Sequence, residues 1–375
     1  MKKMNQLNIN HLINVAQQFV SQGKAVAVTE LGEGNINQTY LVTVDDGVEA
    51  HFVLQQINTQ VFQQPQLVMN NLERFVNHVN NKLPDVTLAD NRSWQTPQIL
   101  RTIDGKNHYI DNNSCFWRAI SYVKNAQSYN TIQSSQHAYE IGYGLGLFHT
   151  LISDLDTTQL VDTLPGFHIT PNYWQQYQTA LQTTSIACSS EVAYCQQFIA
   201  DRTDIIHTLE QAKQQGILQL RPMHGDPKIN NIMIDNSTQK AIAMVDLDTI
   251  KPGLVHYDIG DCLRSGCNVL GEETINWQAV TFDIDLAQEI LRGYFAIAKS
   301  FLTSAEIDYI YDSIRLITFE LGLRFFTDYL NNNVYFKTDY PEHNLQRALV
   351  QFQLAKSIEE QEYSLKKIIS QLASL

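Results

Sequence analysis

The sequence is poor in cysteine and in positive charge, and it contains no long apolar run. Its five cysteines include no Cys-x-x-Cys pair, which argues against a zinc site or a disulfide framework and favours reduced thiols. The 26 basic residues are outnumbered by 39 acidic residues, giving a net charge of −13, and no Lys/Arg-rich cluster occurs. This balance argues against nucleic acid as a partner.

Targeting and membrane-spanning patterns are also missing. Residues 1–19 begin with a pair of lysines after the methionine but lack the continuous apolar core of a signal peptide. The longest apolar stretch, residues 141–152, is too short to cross a bilayer. We therefore expect a cytoplasmic protein that does not bind membranes.

The chain nevertheless has enough apolar residues for one large or two modest domains, with 44% hydrophobic residues in a length of 375. One stretch of the first third, residues 64–79, has helical spacing of its apolar residues. The rest of this third is rich in β-branched and aromatic runs, which predict strands. The predicted strands are residues 25–30, 39–44, 50–57, 96–102, 107–111 and 115–123.

From about residue 124 the apolar residues recur at helical spacing. Two short strands, residues 231–235 and 241–246, interrupt this pattern. The composition therefore predicts an α+β fold with two unequal lobes, the first rich in strands and the second mostly helical. The predicted helices of the second lobe include residues 135–154, 171–184, 190–216, 285–302 and 307–330.

The stretch "MHGDPKINNIMID", residues 223–235, places several polar side chains directly before an apolar strand. Its spacing, His224-x-Asp226-x-x-x-x-Asn231, is that of a kinase catalytic loop, in which the aspartate faces the nucleophile and the asparagine reaches a metal ion. A hairpin follows, and Asp246 comes at the end of its second strand. Carboxylate and amide oxygens suit Mg²⁺, so Asn231 and Asp246 are the predicted metal ligands.

These residues resemble the aminoglycoside phosphotransferase and choline kinase group, a branch of the protein-kinase-like fold. "HGDPKINNIMID…AIAMVDLD" and the later "HYDIGDCLRSG" carry the resemblance. More narrowly, the chain is similar to N-acetylhexosamine 1-kinases through segments such as "GEGNINQTYLV", "WRAISYV", "LPGFHITP" and "FELGLRFFTDYL". The resemblance covers about residues 30 to 340. It implies a bilobal kinase-like fold, with a nucleotide-binding lobe over 1–122 and a catalytic, substrate-binding lobe over 123–375.

The resemblance also implies roles for the catalytic segment. Asp226 would orient the acceptor hydroxyl and take its proton, and Lys228 would touch the transferring phosphoryl group. The alternative for Lys228 is a solvated lysine. For His224 we expect bracing hydrogen bonds and no chemistry, and for Asp258 a structural role in holding the catalytic loop.

The nucleotide side of the predicted site has one departure from the kinase pattern. Gln55 stands where protein kinases place a lysine in the third strand, and a neutral amide brings no charge to the phosphates. Glu73, on the next helix, is either the analogue of the kinase helix glutamate or a solvated charge. Two further groups are predicted to bind the nucleotide: the turn residues Gly32, Gly34 and Asn35 at the phosphates, and Tyr122 and Val123 at the adenine.

Two arginines are candidates for the acceptor site. Arg264 serves either the site or a salt bridge. Arg324 lies in an apolar helix, where an unpaired charge is costly, so it needs a buried carboxylate or the substrate as partner. By resemblance we assign Arg324 to the sugar.

The resulting hypothesis is an ATP- and Mg²⁺-dependent kinase that phosphorylates the anomeric hydroxyl of an N-acetylhexosamine. Aminoglycoside, choline and homoserine-type acceptors are alternatives within the same class. A different class, an inactive pseudokinase, is favoured by the missing lysine and opposed by the presence of Asp226, Asn231 and Asp246 together. The expected partners are ATP and a small-molecule sugar, and the protein is expected to be a monomer or a homodimer.

Overall fold

The structure, a computed structural model, describes residues 9–32, 36–45, 50–88 and 92–374. Its strands are β1 Lys24–Glu30, β2 Gln38–Asp45, β3 Ala50–Ile57, β4 Ile99–Leu100, β5 Tyr109–Ile110, β6 Phe116–Ser121, β7 Ala126–Gln127, β8 Arg221–Met223, β9 Ile232–Asp235, β10 Ala241–Met244 and β11 Lys251–Gly253. Its helices are α1 Ile9–Gln17, α2 Pro65–Lys82, α3 Ser135–Ile152, α4 Thr170–Thr183, α5 Ser190–Ala200, α6 Thr208–Gln214, α7 Val255–Gly266, α8 Ile284–Ala298, α9 Ser304–Asp308, α10 Ile310–Leu330, α11 His343–Glu360 and α12 Glu362–Ser374.

An antiparallel sheet forms the first part of the chain, with the order β1-β2-β3-β6-β4 and with β5 also paired to β6. One face of this sheet buries a cluster around Leu54 and Trp117 against α1. The register places Gln55 of β3 directly opposite Arg118 of β6. The predicted strands of this region are present, although β4 and β5 are only two residues long.

The remainder is mostly helical, so the predicted α+β architecture is confirmed. Helices α3 and α8 approach closely because glycines line their contact. A Cβ atom at Gly142 would lie 1.8 Å from the carbonyl oxygen of Ile290, and one at Gly293 would lie 2.0 Å from that of Tyr139. This contact brings Tyr294 of α8 next to His149 of α3, a pair that supports the candidate site.

Two small antiparallel sheets carry the motif residues. Strands β7, β9 and β10 form one sheet, and β8 pairs with β11 in the other. The catalytic segment 224–231 connects β8 to β9, and its last residues, Ile229–Asn231, form a 3₁₀ turn. Among the described residues, no helix is both long enough and apolar enough to span a membrane.

Helix boundaries are where the sequence predictions differ most from the structure. The predicted helix 190–216 is two helices, α5 and α6, separated by turns. Within those turns Arg202 donates to Glu359 of α11, an ion pair between segments far apart in sequence. The predicted helix 307–330 likewise divides near Tyr309, and helices α1, α7 and α12 were not predicted.

Candidate active site

The catalytic segment is held by one buried carboxylate. Asp258 of α7 accepts the backbone N–H groups of His224, at 2.7 Å, and Gly225, at 2.8 Å. It also contacts Nε2 of His149 at 2.8 Å, and Nδ1 of His149 lies 2.9 Å from the hydroxyl of Tyr294. Burial opposes ionisation of Asp258, but these hydrogen bonds lower its pKa below the ordinary value. Asp258 therefore has the structural position expected of it.

Gly225 occupies a backbone conformation that suits only glycine. Its φ is +89°, and a Cβ atom there would lie 2.8 Å from the Cβ and from the carbonyl oxygen of Thr249. Because both its N–H and its carbonyl oxygen are hydrogen-bonded, Gly225 fixes the direction in which the chain enters Asp226.

His224 makes the bracing hydrogen bonds that we expected. Its Nδ1 accepts the N–H of Asp226 at 3.2 Å, and its Nε2 donates to the carbonyl oxygen of Val245 at 2.9 Å. One nitrogen accepts and the other donates, which is the pattern of a neutral imidazole. Burial lowers the pKa of His224 and favours this form. His224 thus connects the catalytic segment to the residue before Asp246.

Asp226 and Lys228 lie together at the accessible side of the segment. The Nζ atom of Lys228 is 3.4 Å from Oδ2 of Asp226, and the side chains are 40% and 30% exposed, respectively. The carboxylate of Asp226 raises the pKa of Lys228 above its ordinary value, so the amine is charged. A carboxylate beside a cation at an accessible position is the arrangement needed to orient a hydroxyl next to a transferring phosphoryl group.

Asn231 and the end of β10 are tied to this segment. The amide Nδ2 of Asn231 donates to the carbonyl oxygen of Asp226 at 2.7 Å. The carbonyl oxygen of Asn231 accepts the N–H of Val245 at 2.9 Å, which draws Asp246 towards the same place. Since Nδ2 is occupied, the oxygen Oδ1 is the atom that Asn231 can offer to a cation.

Asp246 has a left-handed backbone conformation, with φ of +62°, which a non-glycine residue adopts infrequently. Asp246 is exposed to solvent, unlike Leu247 and Asp248, which follow it and are buried. Burial and the nearby carboxylates of Asp248 and Asp226 raise the pKa of Asp246 to about 7. The cations Lys228 and Arg118 oppose this rise. The three carboxyl groups therefore crowd one another, and a divalent cation among these oxygen atoms would relieve their repulsion.

A magnesium site of the kinase type is incomplete in protein atoms alone. Within the described ranges, no group of three or more His, Cys, Asp and Glu side chains is arranged to hold a metal. Mg²⁺ is commonly bound by one or two carboxylates together with substrate phosphates and water. Asn231 and Asp246 fit that kind of site.

The nucleotide side contains an ion pair that the sequence did not predict. Arg118 donates to Oε1 of Gln55 from Nε, at 2.9 Å, and from Nη2, at 2.7 Å. Arg118 also pairs with Asp248, which accepts a hydrogen bond from Asn37 as well. A charged residue in the otherwise apolar strand "FWRAIS" was the available signal, but its partner lies 130 positions away.

Of the other residues predicted to bind the nucleotide, the structure describes Gly32, Tyr122 and Val123. Gly32 follows β1 with a positive φ of 74°. Gly34 and Asn35 lie outside the described residues. Tyr122 and Val123 directly follow β6, where Val123 packs with Ile242 in a small apolar cluster.

Arg324 of α10 is surrounded by aromatic rings. Its guanidinium carbon lies 4.9 Å from the ring centre of Tyr173, 5.3 Å from that of Phe167 and 5.5 Å from that of Phe336. Burial opposes the charge, but Tyr173 and the carboxylates of Glu320 and Asp226 raise the pKa of Arg324. Arg324 forms no salt bridge with a carboxylate in the described part of the chain.

Glu320, one helical turn before Arg324, is occupied by other partners. Oε1 of Glu320 contacts Nδ1 of His168 at 3.0 Å, and Oε2 accepts the hydroxyl of Thr170 at 2.6 Å. Nε2 of His168 lies 2.9 Å from the carbonyl oxygen of Gly225. Both partners of His168 are acceptors, so both ring nitrogens donate and the ring is an imidazolium. Burial alone would lower the pKa of His168, but the bond to Glu320 raises it.

Arg264 is engaged in the salt bridge that was one of its two predicted roles. Its Nε and Nη2 atoms are each 2.8 Å from Oδ1 of Asp261, and its Nη1 is 3.3 Å from Glu272. Burial opposes the charge of Arg264, but the carboxylates of Asp261 and Glu272, with a smaller contribution from Asp226, raise its pKa above the ordinary value.

A carboxylate, a lysine and two oxygen donors that suit a metal ion lie around one loop, the arrangement typical of a phosphotransferase of the kinase-like class. Residues 27–296 match the model of the phosphotransferase enzyme family, APH. The chain belongs to this family. Its members use ATP with a divalent metal ion, Mg²⁺, and transfer phosphoryl groups to small-molecule alcohols.

Solved structures of several kinases share this fold. A choline kinase from Cryptosporidium parvum Iowa II is 13% identical, with 97% of this chain and 99% of that chain covered and a TM-score of 0.60. An aminoglycoside phosphotransferase from Alicyclobacillus acidocaldarius is 14% identical, with coverage of 99% and 98% and a TM-score of 0.59. The amicoumacin kinase hAmiN, in complex with AMP-PNP and Ca²⁺, is 14% identical, with coverage of 95% and 94% and a TM-score of 0.60.

Proposed function

We propose that this protein transfers the γ-phosphoryl group of ATP to the anomeric hydroxyl of an N-acetylhexosamine, giving the sugar 1-phosphate. The observation that carries the choice of acceptor is Arg324, a cation enclosed by Phe167, Tyr173 and Phe336 close to Asp226. Aromatic rings and a fork of N–H donors suit the faces and the oxygen atoms of a neutral sugar.

The same observation disfavours cationic acceptors. Sites for quaternary ammonium groups use an aromatic cage to hold the ligand's charge. Here a protein cation, Arg324, already fills the aromatic surroundings. A choline or an aminoglycoside would bring a second positive charge against it, and like charges in a desolvated site repel strongly. Homoserine-type acceptors fit better than choline or aminoglycosides, because their carboxylate could pair with Arg324.

The chemistry follows from the residues around the loop. Asp226 accepts the proton of the acceptor hydroxyl as that oxygen bonds to the γ-phosphorus and the bond to the β–γ bridging oxygen breaks, with ADP leaving. Lys228 donates to the transferring phosphoryl oxygens, where negative charge is spread. Asn231 and Asp246 would hold Mg²⁺, which neutralises phosphate charge when bound. An anomeric hydroxyl is more acidic than an ordinary alcohol, which suits a carboxylate base.

The remaining site assignments belong to the same proposal. Residues 1–122 form the nucleotide-binding lobe, and residues 123–375 form the catalytic and substrate-binding lobe. Arg264, whose guanidinium is held by Asp261 and Glu272, is the second proposed acceptor contact. The cytoplasm is the proposed location, since all five cysteines are free thiols. The proposed nucleotide contacts are Gly32, Gly34, Asn35, Gln55, Tyr122 and Val123.

The direct test is ADP release from Mg²⁺-ATP with a panel of acceptors: N-acetylglucosamine, N-acetylgalactosamine, galactose, choline, homoserine and kanamycin. We expect turnover on an N-acetylhexosamine, and its loss in Asp226→Asn. Turnover on choline or kanamycin alone would refute the acceptor assignment while leaving the phosphotransferase intact. ATP binding without turnover on any acceptor would favour the pseudokinase alternative.

Arg324→Met tests the acceptor site separately. Loss of a charged hydrogen-bond donor to the sugar is expected to raise the KM for the sugar roughly 10- to 100-fold and to leave the KM for ATP unchanged. The matched control is Arg292→Met on the surface of α8, where the guanidinium lies 4.2 Å above the ring centre of Tyr139. An equal rise of both KM values in Arg324→Met would contradict the proposed contact.

A further inference from the structure

The third strand lacks the kinase lysine, but the neighbouring strand supplies a cation at the same level of the sheet. Arg118 of β6 lies directly opposite Gln55 in the ladder, and side chains opposite each other project to the same face. Two guanidinium nitrogens of Arg118 donate to Oε1 of Gln55, at 2.9 and 2.7 Å. Gln55, at the position of the missing lysine, thus accepts hydrogen bonds from Arg118 and holds its guanidinium.

The orientation of Gln55 is fixed for this purpose. Its Nε2 donates to the hydroxyl of Thr39 at 3.0 Å, which directs Oε1 towards Arg118. A lysine at position 55 would place a second cation against the guanidinium, so lysine and Arg118 exclude each other by charge. Glutamine at 55 and arginine at 118 are therefore two parts of one arrangement.

Arg118 extends from the nucleotide-binding sheet to the metal-binding segment. It pairs with Asp248, two residues after Asp246, and it is one of the cations that limit the rise in the pKa of Asp246. In kinases the corresponding space, between the third strand and the metal-binding aspartate, is where the nucleotide phosphates lie. Glu73 is not the carboxylate that pairs with Arg118, because it pairs with Arg101 and accepts a hydrogen bond from Asn107.

One donor of Arg118 is left over. The side chain is 1% exposed, and its Nη1 atom is buried without a hydrogen-bond partner among the described residues. A buried guanidinium N–H without an acceptor is unfavourable, and native structures seldom leave one unexplained. A phosphate oxygen is the acceptor that guanidinium N–H groups match in both charge and geometry.

We propose that Arg118 takes the place of the third-strand lysine and donates from Nη1 to the α- or β-phosphate of ATP, while Gln55 and Asp248 hold its guanidinium. In this proposal the positive charge at the phosphates comes from β6, the strand paired with β3, and not from β3 itself. The inference concerns nucleotide binding and does not depend on which acceptor the enzyme uses.

Calorimetric titration with Mg²⁺-ATP and with adenosine tests the proposal, because only ATP has phosphates. The main variant is Arg118→Met with Asp248→Asn, which avoids leaving a buried carboxylate unpaired. We expect its affinity for Mg²⁺-ATP to fall roughly 10- to 100-fold, the effect of one lost charged hydrogen bond, with adenosine affinity unchanged. Arg118→Gln, a neutral polar side chain, is the second variant and is expected to lose the same preference for ATP.

Two comparisons separate a phosphate contact from a structural role. Asp248→Asn alone retains Arg118 and is expected to keep most of the preference for ATP over adenosine. Adding Gln55→Lys to the double variant restores a cation at the usual lysine position and is expected to recover that preference. The proposal is overturned if the Arg118 variants keep the wild-type ratio of the two affinities. It is also overturned if Asp248→Asn alone loses as much as the double variant, or if Gln55→Lys recovers nothing.

Discussion

Asp258→Asn is the substitution for which the structure predicts the clearest loss of both stability and turnover. The carboxylate of Asp258 is fully buried and accepts three donors, the N–H groups of His224 and Gly225 and Nε2 of His149, at 2.7 to 2.8 Å. An amide has one acceptor oxygen, so its nitrogen would face at least one of these donors.

The magnitude follows from counting these bonds. One buried N–H left without an acceptor costs about 1–3 kcal/mol, and two charge-assisted bonds reduced to neutral ones cost about 1 kcal/mol each. The expected loss in the free energy of unfolding is therefore about 3–5 kcal/mol, the range known for broken buried pairs. Asp226 follows Gly225 directly, so the folded fraction of Asp258→Asn is also expected to turn over roughly 100-fold more slowly.

The assay combines urea unfolding with ADP release at a temperature where the variant is folded. Asp111→Asn is a matched control far from the loop. Asp111 accepts the N–H groups of Asn113 and Cys115, at 2.9 Å, and Nε1 of Trp117, at 3.0 Å. We expect a similar loss of stability in Asp111→Asn with unchanged turnover. Wild-type turnover in folded Asp258→Asn would refute the reasoning, and so would a loss of turnover in Asp111→Asn equal to that in Asp258→Asn.

Three further outcomes can be checked with the same two assays. The pKa of Asp258 is lowered in the folded protein, so its contribution to stability is complete above the unfolded pKa and is lost as the pH falls through the folded pKa. The free energy of unfolding of Asp258→Asn should therefore fall less steeply than that of the wild type as the pH is lowered. The pKa of His168 is raised in the folded protein, so its contribution to stability is complete below the unfolded pKa and is lost as the pH rises through the folded pKa. The free energy of unfolding of His168→Gln should therefore fall less steeply than that of the wild type as the pH is raised. An unchanged slope would contradict a charged His168 in the folded protein. Gly225→Ala adds a Cβ 2.8 Å from Thr249 at a φ of +89°, so we expect a loss of about 1–3 kcal/mol in stability together with slower turnover, and wild-type values for both would be inconsistent with the loop geometry.

The sequence predicted the fold class and the local part of the site for a physical reason. Alternation and helical spacing are local patterns, and β1, β2, β3 and α2 lie within a few residues of their predicted bounds. The loop motif is equally local, and the structure brings Asp226, Lys228 and Asn231 together as their spacing implies.

Long-range contacts could not be predicted in this way. Arg118 and Asp248 lie 130 positions apart, and each is an ordinary charged residue in its own segment. His168 lies in the segment "LPGFHITP", but its contact with Glu320, 152 positions further along the chain, is not visible in that segment. Arg202, in the break between α5 and α6, pairs with Glu359 of α11, which is far along the chain. Local periodicity carries no information on such pairs.

The most direct test of the central claim is the phosphorus NMR spectrum of a reaction containing Mg²⁺-ATP and N-acetylglucosamine or N-acetylgalactosamine. The account predicts one new phosphomonoester signal, coupled to the anomeric proton, that appears together with ADP and is absent with Asp226→Asn. A phosphomonoester without coupling to the anomeric proton would contradict attack by the anomeric hydroxyl. Consumption of ATP only with a non-sugar acceptor would contradict the sugar assignment itself.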